Sequence, residues 1–305
     1  MGEVYLAEHL LLRWPCAIKL IGPERAGDPK TLRRFEREVQ TTATLTHPNT
    51  VEIFDYGHTE DGTFYYVMEY LPGLSLDDLV ERHGPVPPER AVHLLRQVCQ
   101  ALREAHAVGL IHRDIKPANI IACERGRVYD VAKLLDFGLV KHTVLGNWDA
   151  RLTTEGVVSG SPRFLSPEQA LGRPDVDARC DLYSLGGVAY YLVTGRLPFE
   201  RQTIMETLLA HARDPVVPVT AVRAEVPADL ETVILRCLEK DPGKRFPDAE
   251  SLDRALAACE CAGRWTQDRA AAWWAKQASE PPASVLPDPG NEATVTLLGR
   301  QQPAR

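Results

Sequence analysis

His112-Arg113-Asp114, then Lys116 and Asn119, then Asp136-Phe137-Gly138 constrain this chain more than any other stretch of it. Two carboxylates, an amide and a lysine follow one another in fixed order between residues 114 and 136. Phosphoryl transfer from a nucleotide needs that set: a base for the incoming hydroxyl, oxygen ligands for magnesium, and a cation on the migrating phosphate. A lone Asp-Phe-Gly carries no such weight; its meaning comes from the pieces before and after it.

A length of 305 residues suits two lobes plus a tail, and 44% hydrophobic with 25% charged residues is enough to bury real cores. The formal charge of −7 argues against nucleic acid as a partner, because phosphate backbones select basic faces. Seven cysteines, odd in number and scattered through apolar runs, read as buried reduced thiols rather than a disulfide framework. Cys259-Glu260-Cys261 lacks the two-residue spacer of a metal knuckle. No apolar run reaches bilayer length, so the chain carries no membrane segment, and the start shows no charged-then-apolar leader. A cytoplasmic protein is the expectation.

The first seventy or so residues read mainly as strands, in β-prone runs over 4–7, 16–20, 51–56 and 64–70, with one helical pattern over 29–45. After Pro72-Gly73 the periodicity turns helical: a short helix capped by Ser75, then helices over 88–108, 181–193, 204–212, 230–238 and 248–259. The run 181–193 is apolar nearly all round, as a helix buried at the centre of a lobe should be. Residues 265–277 read as a further helix whose Trp273 and Trp274 dock on the body. Beyond Pro281-Pro282 the composition offers too little apolar surface to order a backbone.

These motifs together resemble the catalytic domain of a eukaryotic-like, bacterial-type serine/threonine protein kinase, over roughly residues 2–257. The resemblance implies an α+β, two-lobed fold: a β-rich N-lobe over 1–72, a mainly helical C-lobe over 73–258, a helical extension over 259–280 and a disordered tail over 281–305. It implies ATP and Mg2+ as cofactors, with Mn2+ as a substitute, and serine or threonine hydroxyls of proteins as acceptors. It also implies signal transduction by phosphorylation, with self-association for trans-autophosphorylation as one partner arrangement.

By the same resemblance, Gly2 and Val4 belong to the glycine-rich loop over the phosphates, and Lys19 in Ala17-Ile18-Lys19 holds the α- and β-phosphates. Glu38 pairs with that lysine, with Glu36 as the rival half a turn away. The backbone of Glu69 and Leu71 reads the adenine edge, Met68 backs the pocket, and Ala17 and Ile121 close an apolar slot. Asp114 orients or deprotonates the acceptor hydroxyl, Lys116 neutralises the γ-phosphate, and Asn119 and Asp136 bind the metal. Lys116-Pro117 resembles serine/threonine rather than tyrosine kinases.

Residues 139–168 resemble an activation and substrate-docking loop. There Ser161 would bridge Asp114 and Lys116, and Arg113 and Lys141 would hold a phosphate placed on Thr153, Thr154 or Ser159. Glu168 should pair with Arg245 as a structural ion pair. The turn 124–127, longer than is usual in the family, should lie away from the chemistry. The chain departs from the pattern at its start, which lacks the first strand and first two glycines of the phosphate loop; a start upstream is the expectation. A pseudokinase scaffold that keeps the fold without transfer is the alternative.

Overall fold

Four strands build the first lobe. In this computed structural model, which describes residues 3–21, 36, 39–59, 62–137 and 162–279, β1 (Glu3–Glu8), β2 (Pro15–Ile21), β3 (Ile53–His58) and β4 (Phe64–Glu69) form an antiparallel sheet ordered β1-β2-β4-β3. Along β4, Phe64, Tyr66 and Met68 point into a core with Ala17, Ile21, Val39 and Val51. Directly opposed residues on paired strands share a face, and the register pairs Ala17 with Met68 and Lys19 with Tyr66. One polar side chain, Lys19, therefore enters an apolar face beside a tyrosine. Of the helical pattern over 29–45, residues 36 and 39–42 are helical, while 29–35, 37 and 38 lie outside the described residues.

A second small sheet, β5 (Gly73–Ser75), β6 (Ile120–Arg125) and β7 (Val128–Leu134), sits under the crossing between lobes. Gly73 is required there: a Cβ would lie 2.2 Å from the carbonyl oxygen of Ala122. The sequence pattern marks this point only as the change to helical periodicity, because three residues are too few for alternation to register.

The second lobe is helical: α1 (Leu76–His83), α2 (Pro88–Ala107), α3 (Pro167–Ala170), α4 (Arg179–Thr194), α5 (Ile204–Arg213), α6 (Val219–Val222), α7 (Ala228–Cys237), α8 (Ala249–Ala257) and α9 (Gln267–Ser279). Ser75 caps α1 by accepting from the Asp78 N–H at 2.9 Å. Leu95, Cys99 and Leu102 of α2 are buried as one stripe. Helix α4 is buried on nearly every side and ends at Gly195, whose φ of 69° is the left-handed conformation of a helix stop. All seven cysteines are free and buried, and burial raises the Cys123 thiol to about 11. No described helix is long and apolar enough to cross a membrane.

Helix α9 closes the back of this lobe on an unusual polar centre. Asp130, in β7 and 0% exposed, accepts two hydrogen bonds from Arg90 at 2.8 Å each. The same carboxylate accepts from the indoles of Trp265 (2.8 Å) and Trp274 (2.7 Å), while the Arg90 guanidinium lies 3.8 Å from the Trp273 ring centroid. Gln267 completes the docking by bonding both the N–H and the carbonyl of Tyr129, at 2.8 and 3.0 Å.

Candidate active site

Asp181 at the start of α4 explains how the loop around Asp114 is held. Its buried carboxylate accepts from the backbone N–H of His112 (2.8 Å) and of Arg113 (2.7 Å), and lies 2.9 Å from His106 Nε2. Burial alone would raise this carboxyl, but His106 and the backbone donors hold it below its ordinary range. Arg113 takes a φ of 62°, so the chain turns sharply just before Asp114. His112 is fully buried, and burial holds its ring below its ordinary pKa. Its Nε2 donates to the Leu135 carbonyl at 2.7 Å, because a carbonyl can only accept; its Nδ1 therefore accepts from the Asp114 N–H at 3.2 Å. With its ring 4.8 Å from that of Phe137, His112 joins the two motifs that are 22 positions apart from Asp114 to Asp136.

On the loop itself, Lys116 Nζ lies 3.1 Å from Asp114 Oδ2. Asn119 Nδ2 donates to the Asp114 carbonyl at 2.9 Å and approaches Asp114 Oδ2 at 3.3 Å. The amide nitrogen is thus committed to Asp114, and the amide oxygen is the atom a cation would meet. Across the cleft, Lys19 Nζ donates to Asp136 Oδ2 and the Tyr66 hydroxyl donates to Asp136 Oδ1, each at 2.5 Å. Burial first, then the Asp136 charge and this bond, push the Tyr66 phenol well above its ordinary pKa. Asp136 itself has a φ of 46°. A carboxylate and an amide oxygen form the hard donor set that magnesium takes, so these residues fit such an ion.

Of the residues expected to form an apolar slot, Ala17 and Met68 are buried, Leu71 and Ile121 half-buried, and Val4 exposed on β1. The Glu69 side chain faces inward: Lys133 Nζ donates to Glu69 Oε1 at 2.5 Å and Arg125 pairs with Glu69 Oε2. Lys133 also reaches the Thr50 carbonyl at 3.2 Å. Arg125 of the 124–127 segment is thereby tied to Glu69, where the lobes join. A register irregularity between Cys123 and Arg125 brings Arg125 to the residue that joins the lobes.

Glu36 lies 3.4 Å from His58 on the outer side, and so has a partner other than Lys19. Gly2, Glu38, Lys141, Thr153, Thr154, Ser159 and Ser161 lie outside the described residues. Arg113 accepts at its carbonyl from Gln169 Nε2 (3.1 Å), which anchors the loop to α3. Arg245 donates to Glu168 twice, at 2.7 Å each, and spends its remaining donors on the carbonyls of Glu239, Arg179 and Lys240. Sequence reading missed Asp181, Tyr66 and Lys133. Asp181 had a usable signal, a lone charge opening an otherwise apolar run; the other two had none.

Comparison with known proteins agrees with this geometry. The protein kinase domain family matches residues 1–256. The chain is 35% identical over 319 residues to the serine/threonine-protein kinase pkn3 of Myxococcus xanthus, covering 99% of this chain and 58% of that protein. It is 39% identical over 255 residues to the serine/threonine-protein kinase PknB of Mycolicibacterium smegmatis, covering 83% of this chain and 40% of that one. The chain thus spans only about half the length of these relatives. Among solved structures, the PknI kinase domain of Mycobacterium tuberculosis is similar with a TM-score of 0.63 at 29% identity, over 84% of this chain and 89% of that one. With the two-lobed fold, the Asp114 loop and the Lys19–Asp136 contact, these likenesses show that the chain belongs to the protein kinase family, as a catalytic domain of the bacterial serine/threonine type.

Proposed function

We propose that this chain transfers the γ-phosphate of ATP, with magnesium, to serine or threonine hydroxyls of proteins. The observation that carries the reading is the gathering of Asp114, Lys116 and Asn119 on one loop that His112 ties to the segment carrying Asp136, where Lys19 is paired. Asp114 is poised to accept a hydrogen bond from an acceptor hydroxyl and to take its proton as the bond to phosphorus forms. Lys116, already 3.1 Å from that carboxylate, sits where a transferring phosphoryl group would gather charge. Asn119 and Asp136 would hold the divalent ion, which when bound neutralises the nucleotide's phosphate oxygens. Lys19 is a compact ammonium on a flexible stem, suited to moving from Asp136 to the α- and β-phosphates. Ala17, Met68, Leu71, Ile121 and Val4 would enclose the base, with the backbone of Glu69 and Leu71 as its polar edge. The tie of Glu69 to Lys133 and Arg125 stiffens that edge.

Regulation belongs to the same reading. A phosphate on Thr153, Thr154 or Ser159 would add nearly two negative charges beside Arg113 and Lys141 and order the loop. Self-association would let one copy modify another.

Incubation of the protein with γ-labelled ATP and magnesium tests the reading. Phosphoserine or phosphothreonine should accumulate on the chain or on a generic protein substrate. Lys19→Met should lower the rate by roughly 10²–10³-fold, the usual cost of one transition-state charge stabiliser. A parent protein that binds nucleotide but transfers nothing would instead support a scaffolding role.

A further inference from the structure

We propose that Tyr66 is a positioning residue for the metal site: its hydroxyl fixes the plane of the Asp136 carboxylate. The inference rests on the reading of Asp136 as a metal ligand. Both carboxylate oxygens have donors, Lys19 on Oδ2 and Tyr66 on Oδ1, each at 2.5 Å. The two donors are not equivalent. Lys19 ends a four-carbon stem that can swing toward phosphates, whereas the tyrosine ring has two rotatable bonds and is 1% exposed. Packing in the Val39, Phe64 and Met68 core leaves that ring no route to water.

The sheet dictates the placement. Tyr66 lies directly opposite Lys19 in the β2–β4 register, so both donors reach the cleft from adjacent strands of one face. Their common target, Asp136, has a φ of 46°, and its carboxylate lies against the sheet through these two bonds. A charge-assisted O–H···O bond of this length belongs to the strong class. It uses one lone pair of Oδ1 and leaves Oδ2 to a cation once Lys19 turns away. A phenylalanine would fill the same space and lose only this bond.

The test is calorimetric titration of the full chain with ADP, in EDTA and across a magnesium series, for the parent, Tyr66→Phe and Asp136→Asn. Tyr66→Phe should leave ADP affinity in EDTA unchanged and raise the magnesium concentration for half-maximal enhancement by about tenfold, the scale of a lost charged hydrogen bond. Asp136→Asn should remove the magnesium enhancement altogether. If Tyr66→Phe matches the parent at every magnesium concentration, or weakens ADP equally with and without metal, the positioning role is wrong. If Asp136→Asn keeps the parent's magnesium dependence, the assignment of the metal ligand fails, which is a distinguishable result.

Discussion

Asp114→Asn should lower kcat by about 10²–10⁴-fold while ADP binding becomes no weaker, the span that one positioned acid–base group contributes. The substitution is close to isosteric, so the backbone contacts that shape the loop persist: Asp181 to His112 and Arg113, and Asn119 to the Asp114 carbonyl. What disappears is the negative charge beside Lys116 and the ability to accept the acceptor hydroxyl's proton. Single-turnover measurement of phosphate transfer beside ADP titration separates the two effects. A variant that retains parental kcat would mean that another group orients the hydroxyl. A variant that loses nucleotide binding in parallel would mean that Asp114 matters for folding of the cleft and not for transfer.

Asp130→Ala carries the largest expected loss of stability, about 3–5 kcal/mol, because it strands a buried cation. Arg90 is 1% exposed and has Asp130 as its carboxylate partner, and the indoles of Trp265 and Trp274 donate to the same two oxygens. Against a typical domain stability of about 5–15 kcal/mol, such a loss takes the protein near its limit. Trp274→Phe, which removes one donor and part of the indole while keeping an aromatic ring, should cost less, about 1–2 kcal/mol. Equilibrium denaturation by urea ranks the two variants against the parent. Equal, small losses would show that helix α9 rests on apolar contact alone and that the buried charges are incidental to its docking.

This network shows where the sequence stops being legible. In 128–134 the aspartate falls among Val128, Tyr129 and Val131, and a lone polar residue in a strand pattern reads as solvent-facing. Its burial depends on Arg90 and on tryptophans more than a hundred positions away, and no local period encodes that pairing. Lys133, Glu69 and Arg125 fail in the same way: three charges on three strands, β7, β4 and β6, meet only because the chain crosses between lobes there. By contrast, the buried helix α4, the cap at Ser75 and the strand at β4 could be read directly, since each depends on neighbours close in sequence. The motif around Asp114 was legible for another reason. Its groups are close in sequence, and the chemistry they share allows few other purposes. Tyr66 was hidden because an aromatic residue in a strand is ordinary core material; only the register with Lys19 turns its hydroxyl into part of the site.

Under the proposed function, Asn119, Asp136 and Lys19 serve one nucleotide and one metal. A crystal structure of the full chain with magnesium and a non-hydrolysable ATP analogue addresses it directly. The account requires a magnesium ion about 2.1 Å from an Asn119 oxygen and an Asp136 oxygen, Lys19 on the phosphates, and Asp114 facing the open side of the γ-phosphate. Nucleotide bound elsewhere, or a metal held by other side chains while Lys19 stays on Asp136, would contradict it.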